Sequence, residues 1–341
     1  MMPVKNVRGI KKGTGSSDQV FYHYCGLDSL FGMITSKSLW LTSLESTNDK
    51  KELKFGQETF NKALQGLIDD ENYKDIRKEL MKILNAPKDL TYKRYRPNFK
   101  YYGMSFISNK DSLTHWERYG NDGYGVCLGI NFGMIDKLFE DYGIPKMCSS
   151  WIYSNQIIYE EEKQIDHLQK SVLNEINGFY YQLRNKENTQ SINITDIPHI
   201  CNSIYYNTLA QSKPIFKDHG FSDEKEIRLV FEEGQAEEQA KYYSSIASEV
   251  EYTDSFLKIS KHLNQIIDEL DLYKSNKQHG IIGDTIRSYY AMNLSKIWSD
   301  KLITEVIIGP RCFQNRKELK SFLKANGLNR TNVNISDIPI R

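Results

Sequence analysis

Apolar and polar positions alternate with period two in several short runs, and these predict strands. Residues 20–24 are β-branched and aromatic, residues 39–42 follow with Leu39, Trp40 and Leu41, and residues 101–108 end in a pair of serines, Ser105 and Ser108. Further strands are expected over 126–130, 151–159, 226–232, 287–294, 304–308 and 333–335. Helices announce themselves through a longer period: Leu27, Leu30, Phe31 and Ile34 share one helical face, and Ile165, Leu168, Val172, Ile176 and Tyr180 stripe a long polar helix over 160–184. Residues 52–84 read as mostly helical with a break near 69–72, and 199–211, 256–272 and 317–325 as further helices. Asp111 stands where it can cap a helix running through Leu113, Trp116 and Tyr119. Because strands and helices mix without a steady βαβ alternation, the expected class is α+β, with mixed, mostly antiparallel central sheets flanked by helices. Residues 1–19 read as a loosely held arm. Residues 20–341 read as a single domain, with a polar, helical lobe inserted at about 234–285.

The run 226–232 draws the most notice. Ile227, Leu229 and Phe231 alternate with Glu226, Arg228, Val230 and Glu232, the pattern of a half-buried strand. Glu224 lies two residues before Glu226, so a continuous strand carries both carboxylates on one side. Like charges on one face need a cation to answer them. The ordinary reading is a solvated strand start with Arg228 and nearby lysines as counter-ions.

Composition narrows the classes. With 45 basic against 44 acidic residues, no global field draws the chain to nucleic acid or to a membrane surface. Five cysteines, widely spread and without a CxxC spacing, suggest neither a zinc site nor a secreted disulfide framework. No run of about twenty apolar residues offers a membrane span. The basic stretch 1–20 is not followed by the apolar core of a signal peptide, so the expected location is the cytoplasm.

Familiar catalytic motifs are missing: no HExxH, nucleophile elbow, Walker A or EF-hand is present. Gly120, Gly123 and Gly125 come after a helix and before a strand, the reverse of a phosphate-binding loop, and suit a tight turn. Three polar positions at strand ends remain: His23, the Ser105/Ser108 pair and Glu226. Each has an ordinary structural reading when taken alone. Asn48, Asp49 and Glu52 offer hard oxygen ligands for Mg²⁺, or a turn followed by a helix N-terminus that welcomes acidic residues. The basic, aromatic stretch 92–96 suits a phosphate or a stacked ring, or simply packs its tyrosines. His115 sits beside Trp116, where core packing is the better reading.

The order of these pieces resembles a bacterial family known as domain of unknown function 2971. The similarity lies in Phe21 to Tyr24, Leu39 to Thr42, Thr47 to Asp49 with Glu52, Ser105 with Phe106, Ser112 to Trp116, Gly125 to Leu128, Glu224 to Val230 and Glu305 to Pro310. It spans about 20–341, with Lys50 standing where the family usually has proline. More loosely, a His-Tyr strand, a strand ending in serine and a late Glu-x-Glu look like the ADP-ribosyltransferase fold. That resemblance implies an NAD-consuming enzyme, a bacterial toxin or anti-phage defence effector, with NAD as substrate and no metal. It implies that His23 binds the adenosine-side ribose or phosphate and that Ser105 or Ser108 shapes the nicotinamide side. Glu226 then holds the nicotinamide ribose 2′-hydroxyl, Glu224 orients or deprotonates an acceptor, and Tyr24 or Tyr102 sandwiches the nicotinamide ring. The acceptor is a protein or nucleic acid, and a regulatory partner protein is expected.

Two other readings stay open on the sequence. One is a metal-dependent nuclease or phosphoesterase built on Asp49, Glu52 and His115. The other is a non-catalytic module that binds a nucleotide or a protein.

Overall fold

The computed structural model describes residues 19–46, 57–85, 100–143, 151–185, 204, 208–209, 212–247, 253–282 and 285–339. In chain order the first elements are β1 (Val20–Cys25), α1 (Leu27–Ser36), β2 (Ser38–Ser43), α2 (Gln57–Asp69), α3 (Arg77–Asn85), β3 (Tyr101–Phe106) and α4 (Leu113–Tyr119). There follow β4 (Val126–Asn131), α5 (Phe132–Asp141), β5 (Ile152–Gln156), α6 (Glu161–Asn185) and β6 (Ile227–Glu232). The chain continues with α7 (Gln235–Ala247), α8 (Thr253–Leu270), β7 (Gln278–Ile282), β8 (Thr285–Asn293), β9 (Ile303–Ile308), α9 (Arg316–Ala325) and β10 (Asn332–Ile335). Where a single domain was expected, the described residues group into two compact units. One draws on Thr47–Asn98 and Ile157–Asp223, the other on Lys12–Ser46, Phe99–Gln156 and Glu224–Arg341.

The larger unit holds all the strands named above. Four of them form a sheet in the order β1-β4-β9-β10 and six form another in the order β5-β6-β3-β2-β8-β7. Every pairing is antiparallel except β9 with β10. The expected α+β class with mostly antiparallel sheets is what the chain adopts. An isolated bridge between Tyr22 and Ile107 ties the sheets together, each amide donating to the other's carbonyl at 2.8 and 2.9 Å. Both sheets feed one apolar core: Phe21, Leu128 and Ile308 from the first meet Met104, Leu229 and Met292 from the second. Helices seal it with Ile34, Ile135, Ile266 and Leu323. Each such side chain, fully removed from water, contributes about 1.5–3 kcal/mol. Phe132 stands edge-on to both Phe21 and Phe106, at 5.1 and 4.6 Å between ring centres, which locks α5 across the join.

Several boundaries differ from the sequence reading. The expected 101–108 strand ends at Phe106, so Ser108 lies beyond it. The 151–159 strand ends at Gln156. On α1 the buried face is Leu30, Met33 and Ile34, while Phe31 is exposed and stacks on Phe322 of α9 at 5.3 Å. The stretch 234–285, expected as an inserted lobe, sends Ala236, Ala240, Leu263 and Ile267 into the larger unit's core. Among the described residues no helix is long and apolar enough to cross a membrane.

In the smaller unit α2 buries Phe60, Ala63, Leu64 and Leu67, an i, i+3, i+4, i+7 face, and α6 buries Leu168, Val172 and Ile176. Beside Gly66 of α2 lies the Gln169 side chain of α6, whose amide donates to the Ala63 carbonyl at 3.2 Å.

Candidate functional site

The Glu-x-Glu stretch is not the start of a strand. Lys225 takes a left-handed backbone (φ 46°), which turns the chain between the two carboxylates, and β6 begins only at Ile227. Glu224 instead closes a short 3-10 helix, His219–Glu224. The expectation that both carboxylates share a strand face is therefore corrected. So is the half-buried strand: β6 lies between β3 and β5, and Arg228, Val230 and Glu232 are as buried as Leu229 and Phe231. The alternation separates two covered faces, one of them charged.

Strand register gathers the first group of polar residues. Ser105 of β3 pairs with Arg228 of β6, and the Tyr22–Ile107 bridge brings β1 alongside the end of β3. His23 Nδ1 lies 2.8 Å from the Ser105 carbonyl. A carbonyl only accepts, so Nδ1 carries the proton and Nε2 of the neutral ring is an acceptor. Burial lowers the His23 pKa below the ordinary histidine value, against the opposing pull of that carbonyl, so the ring is neutral near pH 7. The Ser105 hydroxyl donates to Glu226 Oε1, and Arg228 Nε donates to the same oxygen at 2.7 Å. Glu226 and Arg228 are both at most 3 % exposed, while Ser105 reaches the surface and His23 is half-buried. The structure thus joins three of the expected residues, His23 of β1, Ser105 of β3 and Glu226 in the turn just before β6, in one hydrogen-bonded row.

Glu224 belongs to an adjoining group. The Tyr119 hydroxyl donates to its Oε1, and Arg118 Nη1 of the same helix lies 3.5 Å from that oxygen. Burial, then the hydrogen bond and charge of Glu224, drive the Tyr119 pKa far above the ordinary tyrosine value. His115, one turn earlier on α4, shares a hydrogen bond with the Ser112 hydroxyl at 2.9 Å. Its buried Nε2 faces the Glu224 backbone without a hydrogen bond of good geometry. Burial lowers the His115 pKa, while Glu224 and, more weakly, Glu226 pull the other way. Both carboxylates act on His115 and Tyr119, so the two groups form one cluster.

Residues 115–229 match the family described as a protein of unknown function, DUF2971. This is the family expected from the sequence motifs, met over about a third of the chain rather than over 20–341. No curated protein and no solved structure matches the chain. The DUF2971 segment contains His115, Arg118, Tyr119, Glu224, Glu226 and Arg228. His23 and Ser105, brought to it by β1 and β3, lie outside it.

The remaining candidates have other surroundings. Tyr24 is core material: its ring meets Trp116 edge-on at 4.7 Å, and its hydroxyl donates to the Asn109 carbonyl and accepts from the Ser112 amide. Tyr102 is buried against Phe231 and Tyr290. Neither ring offers a face for stacking on a ligand, which corrects that expectation. Ser108 is exposed in the loop beyond β3. Trp116 is fully buried, as the packing reading had it, and its indole donates to Asp111 at 2.6 Å. Asn48, Asp49, Glu52 and the stretch 92–96 lie outside the described residues. The glycine turn after α4 serves packing: the Gly309 amide donates to the Gly125 carbonyl at 3.0 Å, and a methyl on Gly309 would stand 2.3 Å from the Gly123 carbonyl. Burial pushes the Cys25 thiol up to about 12 and Cys127 well above its ordinary value, so neither is a ready nucleophile.

Sequence reasoning missed Tyr119 and Arg118 as partners of Glu224. Their only signal was the i, i+3, i+4 spacing from His115, which places His115, Arg118 and Tyr119 close together on α4. Arg228 is the counter-ion expected for Glu226, but in place of a solvated strand start it is among the most buried side chains of the larger unit.

Proposed function

We propose that this chain is an NAD-consuming, ADP-ribosyltransferase-like enzyme whose reacting ribose sits against Glu226, Ser105 and His23. The single observation that carries the reading is the hydrogen-bonded row of those three residues, two on β1 and β3 and the third at the entry to β6. The residues present suit the substrate. The outward members are the Ser105 hydroxyl and the neutral His23 ring, whose Nε2 accepts from a sugar hydroxyl. Behind them stands a carboxylate held in place by a buried guanidinium.

The chemistry follows from those types. When the ribose–nicotinamide bond breaks, its electron pair leaves with the nicotinamide and positive charge develops on the sugar. A carboxylate fixed beside the ribose stabilises that charge without reorganising. Glu224, buried and held by Tyr119 and Arg118, is here a positioning residue for α4 rather than the group that deprotonates an acceptor. An enzyme of this kind consumes a common metabolite, which supports a role as a toxin or defence effector restrained by a partner.

The test is release of nicotinamide and transfer of ADP-ribose, read by chromatography and mass spectrometry, with protein and nucleic-acid acceptors both supplied. Wild-type protein is expected to consume NAD, and Glu226→Gln to lower turnover about a hundredfold or more. Ser105→Ala, at an exposed position, is expected to weaken turnover while the circular dichroism spectrum is unchanged. Intact NAD after incubation with folded wild-type protein overturns the reading.

A further inference from the structure

The C-terminal part of the larger unit departs from the chain's even charge balance. Residues 311–330 contain Arg311, Arg316, Lys317, Lys320, Lys324 and Arg330 against the single acid Glu318, in a chain with 45 basic and 44 acidic residues. At about 100° per residue, the four cations of α9 (Arg316, Lys317, Lys320 and Lys324) fall within roughly a 100° arc, with Glu318 off that arc. Leu319 and Leu323, about 20–60° to one side of Arg316, hold the helix in the core, and the four cations beside them are all exposed. The cationic stripe runs for about 12 Å. Among the described residues, Lys317, Lys320, Lys324 and Arg330 enter no ion pair. Arg316 donates only to the Val333 carbonyl, at 2.7 Å, which leaves its charge unanswered.

Just before this helix stands an unusual surface feature. Phe313 is 93 % exposed and Tyr124 is 44 % exposed, with ring centres 6.1 Å apart. Their corner is built rigidly: the Arg311 amide donates to the Gly123 carbonyl and the Gly309 amide to the Gly125 carbonyl, each at 3.0 Å. An apolar ring standing almost fully in water is unfavourable for the free protein and gains by being covered.

We infer that Phe313, Tyr124 and the cationic face of α9 form a binding surface for single-stranded nucleic acid, with bases stacking on the aromatic pair and phosphates lying along the lysines. Cations with no anionic partners favour a polyanion. Open aromatic faces favour unpaired bases over a duplex, whose bases already stack on one another. The inference stands without the ADP-ribosyltransferase reading, and its assay contains no NAD.

The experiment is fluorescence anisotropy of the full chain with a labelled single-stranded oligonucleotide of mixed sequence and with its duplex, across a salt series. The single strand is expected to bind more tightly than the duplex. Replacing Lys317, Lys320 and Lys324 together by Gln is expected to weaken single-strand binding and flatten its log–log salt slope by about 2. Phe313→Ala is expected to weaken the single strand roughly tenfold or more and leave the duplex nearly unchanged. No binding of either probe at low salt, a slope unmoved by the triple change, or a single-strand preference untouched by Phe313→Ala each overturns the inference. The last of these outcomes reduces the surface to simple adhesion of polyanions. All the substituted residues are exposed, so folding is controlled by the thermal midpoint.

Discussion

Arg228→Met removes the cation that faces Glu226 inside the larger unit. The guanidinium Nε and the carboxylate are 2.7 Å apart, and both side chains are at most 3 % exposed. Breaking such a pair from one side leaves a buried charge with its partner gone and costs about 3–5 kcal/mol. For a unit of roughly 200 residues each kcal/mol moves the thermal midpoint by about 2–4 °C, giving a fall of about 6–20 °C. Combining Arg228→Met with Glu226→Gln removes both ions of the closest pair, and most of the loss is expected to return. The assay is thermal and urea unfolding followed by tryptophan fluorescence, with Trp116 and Trp151 fully buried as reporters. The reasoning is refuted if Arg228→Met lowers the midpoint by less than about 3 °C, or if the two substitutions destabilise additively, since residues in contact should couple.

Tyr119→Phe keeps the ring but removes the hydroxyl donor to Glu224, and is expected to cost about 1.5–3 kcal/mol in the urea midpoint; no change would separate the two residues. Gly309→Ala drives a methyl against the Gly123 carbonyl, backbone that cannot swing aside, and should cost about 1–3 kcal/mol with the loss of a fixed corner at Phe313. In the smaller unit His167 packs against Phe216 at 5.6 Å, and burial pulls its pKa down from 6.5 to about 4, with Asp166 and Lys170 as its charged neighbours. The unfolded chain takes up that proton first, so this contribution to stability is complete above pH 6.5 and is lost as pH falls toward 4. His167→Leu is expected to flatten that part of the pH profile of the urea midpoint, and an unaltered profile counts against it.

What could be read in the sequence depended on whether burial follows periodicity. The strands β1, β2, β4, β9 and β10 were legible because their apolar residues are large and their pairing buries them. The stripe of α6 was legible for the same reason. On α1 two helical faces compete, and the chain buries Met33 where Phe31 was expected, leaving Phe31 to stack on Phe322. The helix α7 was not foreseen: its core contacts are Ala236 and Ala240, small residues in a polar run that carries little hydrophobic signal. The strand β7 owes its place to backbone pairing with β8 rather than to burial, and Ile281 points to solvent.

The stretch from Glu224 to Glu232 shows the same limit at the site itself. Alternation reports which side of a strand a residue occupies; it does not say whether that side is wet. β6 is flanked by strands on both edges and covered on both faces, so its polar side is a buried row of charge rather than a solvated one. Nor does alternation signal the left-handed Lys225, a residue type with no special taste for that conformation. That one backbone angle decides the electrostatics. It lets two like charges, near in sequence, find separate partners: Tyr119 and Arg118 for Glu224, Ser105 and Arg228 for Glu226. A functional reading that needs both carboxylates on one face loses its basis here. A reading that needs one carboxylate, fixed behind an exposed serine and a neutral histidine, keeps it.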